Sequence, residues 1–390
     1  MNKRIISVVL FLFLTAGIYG ESPEMQEFVQ RFVRADLAGK IDILYEAYSN
    51  ESNSTSLYLY ALQFVLDNYA QIGDLRDMNA IVSISLNGLR NIDGAGEDNV
   101  ISVLWKLFLE YPGSNIKTEI ILTLGQLARG NTAFVNDLNN YLMELNMRFR
   151  AGESVDYMIV SACISAIMEL ADSSSYPVLF AVISFGYPEL LSSESYGALE
   201  VIPGNLQQFL LNVIANNPPD EKFAAFRAVI NSNRLTIPER GQLAELALAQ
   251  SLLTSDDNVD LTAMRYAAIL KLTQLRWTRA NALAIRHYYR IQADYNQELV
   301  SKERFLEAIA CLGALGNSDA ALVLGLQLGL INIRTESTGI YDPEITLAIV
   351  QSLGLIGDNA AFNHLSYVTN LPYNNEIIAA AREAISRLKW

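Results

Sequence analysis

The chain has 390 residues, 51% of them hydrophobic and 18% charged, with a net charge of −14. That composition supports a large buried core and excludes intrinsic disorder. An acidic chain repels phosphate backbones and anionic lipid surfaces, so nucleic acid and membrane surfaces are excluded as general partners.

The first element is "MNKRIISVVLFLFLTAGIYG", residues 1–20. Lys3 and Arg4 precede an apolar run from Ile5 to Leu14, and small residues follow. This is the plan of a secretory signal peptide, and the run is too short to span a bilayer. Cleavage after Gly17 or Gly20 fits, and an uncleaved amphipathic anchor is the alternative. No cysteine stands near the cut, which disfavours a bacterial lipid anchor. The expectation is an exported, bacterial, periplasmic or cell-envelope protein with no transmembrane span once the signal is removed.

Residues 50–55, "NESNST", contain two glycosylation sequons and read as a polar loop in a bacterial source. Residues 56–72 carry apolar side chains at Leu59, Leu62, Phe64, Val65, Leu66 and Tyr69, which predicts a helix. A loop over 91–99 precedes a helix over 98–111, with Asp98 as its cap. Then a phrase begins to recur. Ile120, Ile121, Leu124 and Leu127 occupy positions x, x+1, x+4 and x+7, one stripe of an α-helix. The same columns hold Cys163, Ile164, Ile167 and Leu170, then Ala268, Ile269, Leu272 and Leu275. They recur as Ala308, Ile309, Leu312 and Leu315, and as Ile349, Val350, Leu353 and Ile356.

After four of these stripes stand Asn131, Asp172, Asn317 and Asp358, residues that cap helix starts. Seven residues beyond each is a leucine: Leu138, Leu179, Leu324 and Leu365. In the remaining copy Arg276 takes the cap position, with Leu283 seven later. Gly316 and Gly357 suit turns that need a positive φ. The unit is therefore helix, tight turn, capped second helix. About 40 residues cannot bury such a stripe alone, but stacked units bury a continuous core. Between the clear copies, 219–233 and 238–253 read as helices flanked by a loop over 216–222. The chain closes with a helix over 376–390 whose Arg382, Glu383, Arg387 and Lys389 form a wet, terminal face.

The phrases "SLGLIGDNAAFNHL" and "CLGALGNSDAALVL" resemble the HEAT repeat, especially the short variety of phycobilin-lyase-type proteins. The resemblance covers 118–179 and 265–390 and implies an all-α fold. That fold is an α-solenoid of stacked antiparallel helix pairs, a HEAT-like superhelix. The expected organisation is a signal peptide over 1–20 and one array over 21–390. Its helices diverge over 21–98, match over 99–183, diverge again over 184–261 and match over 262–390. The lyase activity does not carry over, because no cofactor motif accompanies the repeats.

Chemistry is sparse. There is no GxSxG, Walker loop, dinucleotide fingerprint or HExxH, so no catalytic, cofactor or metal residue is assigned. Cys163 and Cys311 read as buried thiols, and His364 as a packed or half-exposed helix residue, with a pH-sensitive contact as the alternative. Residues 255–260, "SDDNVD", lack a calcium loop's glycine and distal glutamate and read as a capping loop. The candidate site is "RWTRANALAIRHYYR", residues 276–290. Arg276, Trp277, Arg279, Arg286, Tyr288, Tyr289 and Arg290 make it a cationic, aromatic patch in an acidic protein. Arg279, Arg286 and Arg290 are expected on one helix face, where they would contact an acidic protein or peptide. Pairing with neighbouring acids is the simpler alternative. The function expected is a non-enzymatic scaffold or adaptor. The alternatives are an enzyme or accessory subunit using Glu194, Glu200, Asp220 or Glu221, and a structural envelope protein.

Overall fold

A computed structural model describes residues 23–49, 55–72, 75–92, 95–253 and 258–389. The expected signal peptide, most of "NESNST" and Ser255–Asp257 of the acidic loop lie outside the described residues. The chain divides into two compact units, Met1–Gly204 and Asn205–Trp390. The boundary falls inside the stretch where the repeat diverges.

Among the described residues there are twenty α-helices and no strand. In the first unit these are α1 (Pro23–Arg34), α2 (Leu37–Ser49), α3 (Thr55–Ile72), α4 (Leu75–Arg90) and α5 (Asp98–Glu110). They continue as α6 (Ser114–Leu127), α7 (Thr132–Arg150), α8 (Tyr157–Leu170), α9 (Tyr176–Ser184) and α10 (Glu189–Val201). The second unit holds α11 (Leu206–Asn216), α12 (Pro219–Asn231), α13 (Ile237–Leu252), α14 (Val259–Leu275) and α15 (Asn281–Asn296). It ends with α16 (Lys302–Leu315), α17 (Ser318–Thr338), α18 (Pro343–Ile356), α19 (Phe362–Val368) and α20 (Asn375–Ser386). Consecutive helices within each unit, such as α3 and α4, α5 and α6, and α13 and α14, pack as pairs. Within each unit even-numbered helices pack in one layer and odd-numbered helices in the other, the arrangement of an all-α solenoid.

The repeated columns form the core between the layers. Positions x, x+1 and x+4 are buried in all five copies, while Leu127, Leu275 and Ile356 at x+7 are half-buried. The spaced leucines Leu138, Leu179, Leu324 and Leu365 are fully buried. Burying one such side chain contributes roughly 1.5–3 kcal/mol.

The glycine after the stripe leucine has a separate cause. A Cβ on Gly125 of α6 would stand 2.8 Å from Ala166 Cα on α8. On Gly313 of α16 it would stand 2.8 Å from Ser352 Cβ, and on Gly354 of α18, 2.9 Å from Ala384 Cβ. Gly125, Gly313 and Gly354 all occupy x+5, and Ala166 and Ser352 occupy x+3 of the following copy. The pairing of glycine with a small residue lets neighbouring even helices touch backbone to backbone.

The caps do two jobs. Asp156, Asp342 and Asp358 each accept with one carboxylate oxygen from their own helix or turn start, at Met158, Glu344 and Ala360 N–H. The other oxygen reaches the first residue of the helix one repeat earlier. Asp156 takes the Ser114 hydroxyl, Asp342 pairs with Lys302 at 2.8 Å, and Asp358 takes the Ser318 hydroxyl at 2.5 Å. Asn131 and Asn317 cap Phe134 and Ala320 N–H as expected. Asn258 of the acidic loop caps Leu261 N–H. Asp98 is the first residue of α5, and Glu97 holds the N-cap position.

Three sequence expectations shift. Arg276 is not an N-cap. It is the left-handed C-cap of α14 at φ 49°, in the column of Ala171 at φ 54° and Gly357 at φ 69°. The cap column holds Trp277, which makes no capping bond, and the buried residue seven later is Ala284. Gly316 has φ −7°, outside the left-handed region; its missing side chain instead admits Ile356, whose Cγ1 would lie 2.8 Å from a Cβ. The last helix stops at Ser386, after which Lys389 N–H bonds to Gly357 O at 2.8 Å and Leu388 is buried.

Candidate functional site

The segment 276–290 does not form one helix. A 3-10 turn over Thr278–Ala280 separates Trp277 from α15. This turn is a feature of the repeat, because Ser173–Ser175 and Asn359–Ala361 stand in the same place after Asp172 and Asp358. Arg279 therefore lies ahead of the helix that carries Arg286 and Arg290.

Trp277 and Arg279 turn back onto α13. The indole lies over Gly241, where a Cβ would stand 2.5 Å from the ring. The indole N–H donates to Glu245 Oε2 at 2.8 Å, and Arg279 Nε donates to the same oxygen at 2.7 Å. The Arg279 guanidinium also stands 5.3 Å from the centre of the indole. Glu245 thus matches the charge of Arg279, and this half of the segment is a packed corner. Arg276 is exposed at its edge.

On α15 the exposed positions are Ala282, Arg286, Tyr289, Ala293 and Asn296, one continuous helical stripe. Arg286 and Tyr289 therefore share an outward face, and Arg290 is half-buried beside them. Tyr288 does not belong to that face. It is 1% exposed, its ring lies 5.7 Å from Phe305 of α16, and burial raises its phenol well above the ordinary value. His287 is equally buried, edge-on to Tyr266. The alternation expected of a contact face holds for Tyr289 but sends its neighbour into the core.

Gln292 at the flank of this stripe donates to Gln327 of α17 at 2.7 Å, which fixes α15 beside α17 in the odd layer. Glu245 and the outward residues of α17 are the parts that sequence reasoning missed. Glu245 lies 32 residues before Trp277, a distance at which helical spacing says nothing. The α17 residues sit in a helix apolar on every side, where no stripe stands out from its neighbours.

The carboxylates of the divergent middle lie on two helices, α10 of the first unit and α12 of the second. Glu194 and Glu200 belong to α10. Asp220 and Glu221 lie in the first turn of α12, where acids favour the helix start, and Glu221 accepts from Asn217 at 2.7 Å. Cys163 and Cys311 are free and buried, and burial pushes the Cys311 thiol up to about 11. The His364 imidazole lies over Gly325 and Gly329 of α17, within 3.1 Å of where their Cβ atoms would be. Among the described residues no three histidine, cysteine or acidic side chains converge as metal ligands, and no helix is long and apolar enough to cross a membrane.

No family model fits the chain, and no curated protein is significantly similar to it.

Proposed function

We propose that the chain is a non-catalytic, HEAT-like scaffold that binds protein partners, exported to the periplasm or cell envelope. The export reading rests on residues 1–20 alone. The observation that carries the binding reading is the outward stripe of α15, where Arg286 and the half-exposed ring of Tyr289 stand together in a chain of net charge −14. Arginine and tyrosine side by side suit an interface, the guanidinium as fork donor and the ring as flat apolar area. The partner that fits is an acidic peptide or protein segment. Trp277 and Arg279 serve this face indirectly, by anchoring the start of α15 to α13 through Glu245.

The test is cross-linking capture from extract of the source cells with wild type and with Arg286→Glu/Arg290→Glu, whose melting is checked first. A partner captured by wild type, released by salt and lost by the variant supports the reading. Equal capture by both removes the patch from the mechanism.

A further inference from the structure

The longest helix, α17, turns four large aliphatic side chains to solvent. Leu322, Leu326, Leu330 and Ile333 are 53%, 63%, 64% and 63% exposed. They stand five, nine, thirteen and sixteen residues after the cap Asn317. At the same offsets from the cap Asn131, α7 places Asn136, Asn140, Glu144 and Met147. At the same offsets from Trp277, α15 places Ala282, Arg286, Arg290 and Ala293. The repeat does not require apolar side chains there. A helix that is apolar all round is normally covered all round, yet the helices packed on α17 leave this stripe open.

The stripe also has polarity along its length. Asp319 is exposed at its start and Arg334 at its end. A helix with an acid at one end of an apolar stripe and a base at the other is complementary to itself when reversed.

We propose that α17 docks against α17 of a second copy of this chain, antiparallel, about a two-fold axis near residues 326 and 327. Leu326 then meets the partner's Leu326, and Leu322 meets the partner's Leu330. Asp319 faces the partner's Arg334, and the symmetry makes that pair twice. A parallel arrangement would set Asp319 on the partner's Asp319 and Arg334 on the partner's Arg334. Antiparallel packing also opposes the helix dipoles favourably. The repulsion between two chains of net charge −14 is screened beyond about 8 Å at physiological ionic strength, so the local match governs docking. A contact centred on one helix pair lies at the small end of specific interfaces, which makes a micromolar dimer the expected strength.

The experiment is sedimentation velocity on the full chain across a concentration series, with helical circular dichroism and melting as folding controls. Wild type is expected to pass from monomer to dimer. Leu326→Asp, on an exposed position, is expected to stay monomeric with unchanged melting. Asp319→Arg and Arg334→Asp are each expected to be monomeric alone. Mixed, they are expected to form a heterodimer, because each then offers the charges the other lacks. A wild type that stays monomeric throughout overturns the proposal, leaving the stripe to another occupant. A dimer that survives Leu326→Asp, or two single variants that fail to associate on mixing, overturns it as well.

Discussion

Consider replacing Gly125 by alanine, beside the same change at Gly197. Both glycines lie inside helices of the first unit, α6 and α10. Alanine in a helix interior gains about 0.8–1 kcal/mol over glycine at either site. At Gly197 nothing lies within 4 Å of the new Cβ, so Gly197→Ala is expected to stabilise by about that amount. At Gly125 the new Cβ stands 2.8 Å from Ala166 Cα, 3.0 Å from its Cβ and 3.2 Å from its carbonyl oxygen. Two of those three atoms are backbone and cannot rotate away. Forcing a methyl into a packed contact costs roughly 1–3 kcal/mol. The helix gain cancels between the two variants, so their difference reads the packing cost directly. A mid-range cost of about 2 kcal/mol corresponds to about 6 °C in melting temperature for a unit of this size. Differential scanning calorimetry of the two variants measures it. If Gly125→Ala melts with Gly197→Ala or above it, the backbone contact between α6 and α8 is not what the glycine serves.

Other outcomes follow from the same geometry. Ala171→Gly and Arg276→Gly relieve non-glycine residues held at φ 54° and 49°, and each is expected to raise stability by about 0.5–1 kcal/mol in chemical denaturation. Asp358→Ala removes a cap and a link to Ser318, costing about 1 kcal/mol at neutral pH. The Ser318 hydroxyl, and then the Ala360 N–H, hold the Asp358 carboxyl below its ordinary value. Its contribution is therefore complete above the unfolded-chain value of about 3.9 and is lost as pH falls through the lower folded one. The gap in stability between wild type and Asp358→Ala is expected to close on acidification; a gap that widens refutes the link. Leu353→Asp places a carboxylate in the shared core, where Leu353 is fully buried, and is expected to lower melting sharply. Unchanged melting with full helicity would sink the column assignment.

The helical columns were legible in the sequence because period and burial coincide. Cys163, Ile164 and Ile167 repeat the spacing of Ile349, Val350 and Leu353, and a helix has one way to bury that spacing. The caps were legible for a similar reason, since Asn131, Asp172, Asn317 and Asp358 each follow a break. The copy around Arg276 was misread by one residue. Tryptophan in the cap column hides the signal that aspartate gives elsewhere, and a left-handed arginine is not announced by its side chain. The candidate patch divided for a related reason. The 3-10 turn shifts Arg279 off the helix, and only Glu245, remote in sequence, explains where it goes. Tyr288 and Tyr289 are neighbours in sequence and opposites in burial, a distinction that follows only once the start of α15 is fixed.

Two buried asparagines hold neighbouring helices of the stack in register. Asn146 of α7 donates to Val178 O of α9 at 3.0 Å, and Asn332 of α17 donates to His364 O of α19 at 3.1 Å. Both lie fifteen residues after a cap, and both acceptors lie six residues after the next. Aliphatic side chains alone would let such helices slide by a turn at small cost, since one leucine fits another's place. A carboxamide cannot slide with them. A slip of one turn would carry Asn146 and Asn332, 0% and 1% exposed, away from the carbonyls that hold them. A buried donor left unmet costs about 1–3 kcal/mol. Each asparagine acts as a pawl, fixing one helix against the next where greasy surfaces would not.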